Sequence, residues 1–218
     1  GAGRSETMQC IFGLTPGFSG DVILDGAKLK INSPVDAMNA GIAMVPENRK
    51  VEGLYLVQSV RFNSTIEVLH EFIKNLRVNH SREEEITQEY IDKMNTKTPS
   101  QNQTVSNLSG GNQQKVCLAK AFVLQPNILL ICEPTRGIDI GAKTLVLDTL
   151  KQYNKENGTT IIITSSELEE LRSVCNRVAI VDEGKIAGVL PASSPAEEFG
   201  MLMMGQKHIN NEEGERTA

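Results

Sequence analysis

The stretch LLICEPTRGID (129–139) carries an apolar run up to Cys132-Glu133-Pro134 and stops there. A carboxylate at the tip of a buried strand can orient water or hold a metal, and phosphate chemistry with Mg²⁺ usually sets a second carboxylate beside it. Here that neighbour is Cys132, a thiol mostly neutral near pH 7 and a poor match for a hard cation. As a small hydrophobe ending a buried strand, Cys132 needs no further role. Two glycine-rich helix starts accompany this run. GAGRS (1–5) offers backbone N–H groups, the cation of Arg4 and the hydroxyl of Ser5, the parts of a phosphate loop with Ser5 set to ligate Mg²⁺. LSGGNQQK (108–115) places Ser109 as a helix cap before Gly110-Gly111, a second anion-binding helix start. Two glycines in a first turn cost roughly 1 kcal/mol each against alanine, so a purely structural reason for them is the poorer account.

These groups need a frame to hold them. ILLI (128–131), TIIIT (160–164) and RVAIVD (177–182) are unbroken leucine and β-branched runs, which predict strands buried on both faces. Alternating with helical stretches, they predict a parallel α/β sheet covered by helices. IAMVPE (42–47) is a further buried strand ending at the carboxylate of Glu47. SGDVILDGAKLKI (19–31) alternates apolar and polar residues around Asp25-Gly26 and predicts a hairpin. Ser33-Pro34 caps a short helix. From about Val60 to Met94 the pattern is helical and charged with no strand signal, and Ser81-Arg82-Glu83-Glu84 has the form of a capping box opening its second helix. A polar loop (96–107) leads to a helix from Ser109 to about Leu124. HINNEEGERTA, at the end, is polar and predicts a disordered tail. Because GAGRS enters a helix with no strand before it, the chain reads as a piece of a longer one.

Composition narrows the classes. The 218 residues are 39% hydrophobic and 22% charged, the make-up of a globular domain with a sizeable core. A net charge of -5 and 4% aromatics argue against a nucleic-acid partner. No apolar run approaches the roughly 20 residues that span a bilayer. Cys10, Cys117, Cys132 and Cys175 form no C-x-x-C pair and read as reduced thiols, and His70, His80 and His208 lack metal-ligand spacing and read as surface positions.

LSGGNQQK followed by ILLICEPTRGID, an apolar strand and SSELEE resembles the nucleotide-binding domain of ATP-binding cassette (ABC) transporters. GAGRSE, VPENRKVEGL, LSGGNQQK and EPTRGIDIGAK are most similar to the second cassette in the tandem ATPase subunit of bacterial monosaccharide importers of the ribose, galactose and xylose type. The resemblance implies a P-loop α/β cassette over residues 1–205, truncated at its N-terminus. It would have a parallel core sheet, a small antiparallel part and an inserted helical subdomain at about 60–125, with residues 206–218 as a tail. It further implies ATP and Mg²⁺ as ligands. Gly1, Ala2, Gly3, Arg4, Ser5 and Glu6 match the end of the Walker A loop, and Glu47 the Q-loop position, with Ser5 and Glu47 near the metal. Leu108, Ser109, Gly110, Gly111, Asn112 and Gln113 match the signature that binds the ATP held by the opposite cassette. Cys132 takes the Walker B position, Glu133 that of the carboxylate orienting the attacking water, Asp139 the D-loop, and Ser166 the switch histidine.

Arg4, Glu47, Ser166 and Cys132 depart from the general family pattern, so the chain's own Walker site looks weakened while its signature is intact. The expected function is one half of a sugar-import ATPase. Its expected partners are a first cassette of the same protein, membrane permease subunits and, indirectly, a sugar-binding protein, at the cytoplasmic face of the membrane. Two other readings are a DNA-repair or ribosome-associated ABC ATPase, which would call for long coiled coils or basic linkers, and a non-hydrolysing module that dimerises on ATP.

Overall fold

The computed structural model describes residues 2–15, 17–74 and 77–205. They group into two compact units, one over Ser5–Ser166 and one formed by the residues up to Arg4 with those from Glu167 on. Gly1 and the tail expected over 206–218, His208 included, lie outside the described residues.

In the larger unit, β3 (Ile42–Val45), β6 (Ile128–Cys132) and β7 (Thr160–Thr164) form a parallel sheet in the order β3-β6-β7. Side chains alternate across it. Ala43, Val45, Leu129 and Ile131 enter a core with α3 (Val60–Thr65), α4 (His80–Lys93), α5 (Gly110–Phe122) and α6 (Ile140–Asn157). Ile42, Leu130 and Cys132 enter a second core with Met8 of α1 (Arg4–Ile11) and Ala37 of α2 (Pro34–Asn39). Both faces of β6 are therefore covered, which is why its sequence is an unbroken apolar run. β7 departs from that expectation. It lies at the edge of this sheet, and Ile162 is 42% exposed.

Local chemistry sets the ends of these elements. β1 (Val22–Leu24) and β2 (Ala27–Leu29) pair across Asp25 and Gly26, both at positive φ, as a tight hairpin turn requires. Ser33 caps α2 by accepting the Asp36 N–H, with Pro34 at the first helical position. Asp139 caps α6 through the Ala142 N–H (2.9 Å), and Gly158, left-handed at φ +69, ends that helix.

The segment expected to be wholly helical also holds a short antiparallel pair, β4 (Ile73–Lys74) with β5 (Arg77–Val78). Two-residue strands are too short to leave a period in the sequence. The expected capping box is also corrected. Asn79 is the cap of α4, accepting the Arg82 N–H, while Ser81 lies inside the helix. Glu83 instead turns inward, where its carboxylate accepts the Thr65 hydroxyl (3.0 Å).

In the smaller unit, α7 (Leu168–Val174) and α8 (Ala196–Met203) accompany β8 (Arg177–Asp182) and β9 (Lys185–Pro191). β8 pairs antiparallel with β9 and joins no parallel sheet among the described residues, contrary to expectation. Its burial alternates, with Val178 and Ile180 facing Phe199 and Leu202, so one covered face suffices for the apolar run.

Candidate functional site

Parallel pairing in register collects the candidate residues at one end of the sheet. Val45 lies beside Ile131, so Glu47 and Glu133, each two residues further on, leave the sheet at the same end. Cys132 lies beside Thr164, which brings Ser166 to that end as well. The carboxylates owe their proximity to strand register, a relation between segments almost ninety residues apart.

Glu133 leaves β6 with a left-handed backbone at φ +46. A residue with a Cβ pays roughly 1–2 kcal/mol for that conformation, so the surroundings must hold it. Its N–H donates to Thr164 O (2.8 Å), extending the ladder, and its carbonyl accepts the Arg136 N–H (3.1 Å), closing a turn. Its Oε2 accepts the Ser166 hydroxyl (3.2 Å). Ser166, expected at the switch-histidine position, therefore faces the carboxylate with a hydroxyl that donates but cannot take up a proton near neutral pH.

Glu47 is shared between two partners. Its Oε2 accepts the Ser5 hydroxyl (2.8 Å), and its Oε1 pairs with the Arg136 guanidinium. Ser5 and Glu47 bring hard oxygens together, a donor set that fits Mg²⁺. Cys132 does not fit. It is 1% exposed, and burial first, then the carboxylates of Glu47, Glu133 and Glu52, push its thiol up to about 11. A neutral thiol offers the ion nothing.

Of the remaining expected loop residues, Ala2, Gly3 and Arg4 are half-buried, Gly3 has φ +89, Arg4 is the first residue of α1, and Glu6 is exposed. Asp139 is exposed and engaged as the α6 cap.

At the start of α5, Ser109 is exposed, and its Oγ accepts from the Asn112 N–H and side-chain amide (2.9 Å to Nδ2). Asn112 Oδ1 accepts the Lys97 N–H (2.9 Å). Leu108 is buried in the core. Gln113 is buried too and donates to Val105 O and Leu108 O, so it holds the preceding loop. The two glycines differ. Gly111 is buried, and a Cβ there would sit 2.8 Å from that of Ala142 in α6. The expectation that both glycines lie at an open helix start is therefore corrected, because α6 packs on the second. A Cβ at Gly110 would lie 3.1 Å from both Arg49 Nη2 and Gly137 O.

Two residues of this region had no place in the sequence reading. Arg136 pairs with Glu47, and Arg49 donates to the carbonyls of Arg136 (2.6 Å) and Gly137 (3.0 Å). The available signal was a cation two or three positions after a strand-end carboxylate, in a stretch with no regular period.

The fold is that of ATP-binding cassettes. A dimeric cassette solved in a post-hydrolysis state with ADP and Pi superposes at a TM-score of 0.74, with 21% identity over 88% of this chain and 82% of that one. The cbiO1 component of a Clostridium perfringens ABC transporter complex gives 0.72, with 21% identity over 93% of this chain and 77% of the other. The ABC transporter family model matches residues 1–136, and the chain belongs to that family. The ribose import ATP-binding protein RbsA of Bacillus cereus is 38% identical over 93% of this chain. The xylose import ATP-binding protein XylG of Photobacterium profundum is 42% identical over 91%. The chain spans 41% and 39% of those two relatives. Among the described residues, no helix is long and apolar enough to cross a membrane.

Proposed function

We propose that this chain is the second ATP-binding cassette, over residues 1–205 with a helical subdomain at about 60–125, of a tandem ATPase that energises uptake of a monosaccharide such as ribose or xylose. The observation that carries the reading is the exposed Ser109 start of α5, a helix end open to an anion, in a chain whose β6 ends on the buried thiol of Cys132. The first cassette of the same protein would hold ATP against Ser109 and Gly110. Phosphoryl transfer is mostly positioning and electrostatics, so lending a helix end to that site is a catalytic contribution.

In the chain's own site, Ala2, Gly3, Arg4 and Ser5, with Gly1 and Glu6 flanking them, are the phosphate-facing segment, and Ser5 and Glu47 the metal oxygens. Mg²⁺, when bound, neutralises charge on the phosphates. Glu133 accepts a hydrogen bond from the attacking water, and Ser166 keeps that carboxylate oriented. Asp139 faces the other cassette.

A groove of about 420 Å³, lined in part by Phe12, Met38, Met44, Glu52 and Pro46, the residue before Glu47, is where we place the permease subunits. The chain itself would sit at the cytoplasmic face of the membrane, and a sugar-binding protein would act on it only indirectly, through those subunits. The names of the relatives support sugar import over DNA repair or ribosome work. The retained Glu133 weighs against a purely ATP-dimerised module.

The test is phosphate release by the full-length protein reconstituted with its permease in vesicles. Mg²⁺-dependent release, stimulated by a sugar-loaded binding protein, is expected. Absence of release would sink the ATPase reading, and release indifferent to ribose and xylose binding proteins would sink the sugar reading.

A related prediction concerns Cys132. Aspartate there restores a hard oxygen and has the Thr164 hydroxyl across the ladder as a donor. Mg²⁺-ATP affinity at this site should rise about tenfold. Turnover should gain little, because each missing positioning or acid–base group costs roughly 10²–10⁴-fold and Arg4, Glu47 and Ser166 remain. Nucleotide titration and single-turnover hydrolysis of Cys132→Asp would check both halves, and a large gain in rate would overturn the second.

A further inference from the structure

Arg49 opens a π-helical turn (Arg49–Gly53) that follows the sheet end carrying Glu47. Its side chain is 8% exposed, and among the described residues no carboxylate pairs with it. A buried guanidinium without a counter-charge is costly, so its hydrogen bonds have to hold it in place. Nη1 donates to Arg136 O (2.6 Å) and Nη2 to Gly137 O (3.0 Å), while Nε is buried without a partner.

Those carbonyls belong to the turn that leaves β6, strained at one end by Glu133 (φ +46) and left-handed again at Gly137 (φ +68). The same guanidinium fills the space beside Gly110, where a Cβ would lie 3.1 Å from both Nη2 and Gly137 O. One planar fork therefore joins the stretch after Glu47, the turn after Glu133 and the start of α5.

We propose that Arg49 is a positioning residue: its two-pronged grip on the Arg136 and Gly137 carbonyls fixes Glu133 and the α5 start relative to each other, and so sets the rate of ATP hydrolysis. The proposal rests on the reading of Glu133 and Ser109 as groups of the hydrolytic sites. Lysine keeps the charge but cannot straddle two carbonyls as a planar fork does. A misplacement of about 1 Å in a catalytic group can cost on the order of 10²-fold in rate, without any change in what binds.

The experiment compares wild-type full-length protein with Arg49→Lys, and with the neutral Arg49→Gln should the lysine variant not fold. Backbone hydrogen exchange at Arg136, whose N–H closes the Glu133 turn, is measured without nucleotide. Steady-state hydrolysis is measured alongside melting temperature. The expected result is exchange at Arg136 about tenfold faster or more and kcat reduced about tenfold or more, with KM for ATP within about threefold. Unchanged exchange, or faster exchange with kcat intact, would overturn the proposal, the latter by showing a merely structural role. If the wild-type protein itself releases no phosphate, the ATPase reading fails. The grip is then decided by exchange at Arg136 alone.

Discussion

Ser109→Asp in the full-length protein is expected to lower ATP turnover by roughly 10²–10³-fold while leaving the melting temperature within about 2 °C of wild type. Aspartate is as good a helix cap as serine, so α5 should keep its start and the Asn112 N–H its acceptor. The new carboxylate, however, would stand where phosphate of the opposite cassette is proposed to lie. Two like charges about 4 Å apart repel by about 4 kcal/mol at an effective dielectric of 20, enough to account for the loss. Gly111 would be the wrong place for this test. A side chain there meets Ala142, and lost activity would report a disturbed α5–α6 contact. Turnover near wild type in a folded Ser109→Asp protein would mean that this helix end faces no phosphate.

What could be read from the sequence follows from the range of the forces involved. The β1–β2 turn at Asp25-Gly26, the Ser33 cap and the run of β6 are set by residues within a few positions of one another, and all three stand as read. β8 and β9 are different. RVAIVD has the composition of a strand covered on both faces, yet only the side carrying Val178 and Ile180 is packed, against Phe199 and Leu202. Whether an apolar run has one covered face or two depends on what lies beside it. That information is not in the run. The α4 cap failed on a smaller scale: Asn79 and Ser81 are both good cap residues, and the inward turn of Glu83 decided between them.

The candidate site divides in the same way. Glu47, Glu133 and Ser109 were legible because each sits at the boundary of an element with a clear pattern. Arg49 and Arg136 were not, because their meaning lies in partners almost ninety positions away: Arg49 on the carbonyls of 136 and 137, Arg136 on Glu47. The strain at Glu133 also has no local signature, since its backbone is held by Thr164 O and by the turn closing at Arg136.

That strain supports the second large prediction. In a full-length protein whose other ATP site has been disabled, Glu133→Gln should lower single-turnover hydrolysis by about 10²-fold or more, with ATP binding retained, because the amide keeps the shape but is a far weaker acceptor for water. The starting rate should already be low, given Cys132 and Ser166. Glu133→Asn separates chemistry from structure. Asparagine tolerates a left-handed backbone far better than glutamate, so relief at φ +46 should raise stability by about 0.5 kcal/mol or more. The loss of the Ser166 hydrogen bond, exposed and worth about 0.5–1 kcal/mol, offsets a gain of that size, so the net change in stability should be near zero. A variant that is as stable or more stable, but inactive, is what a residue held in strain for its chemistry should give. Thermal melts and single-turnover assays on the same samples decide it. A clear fall in melting temperature for Glu133→Asn would make Glu133 a structural residue of the turn, and hydrolysis surviving Glu133→Gln would move the reaction of this cassette to some other base.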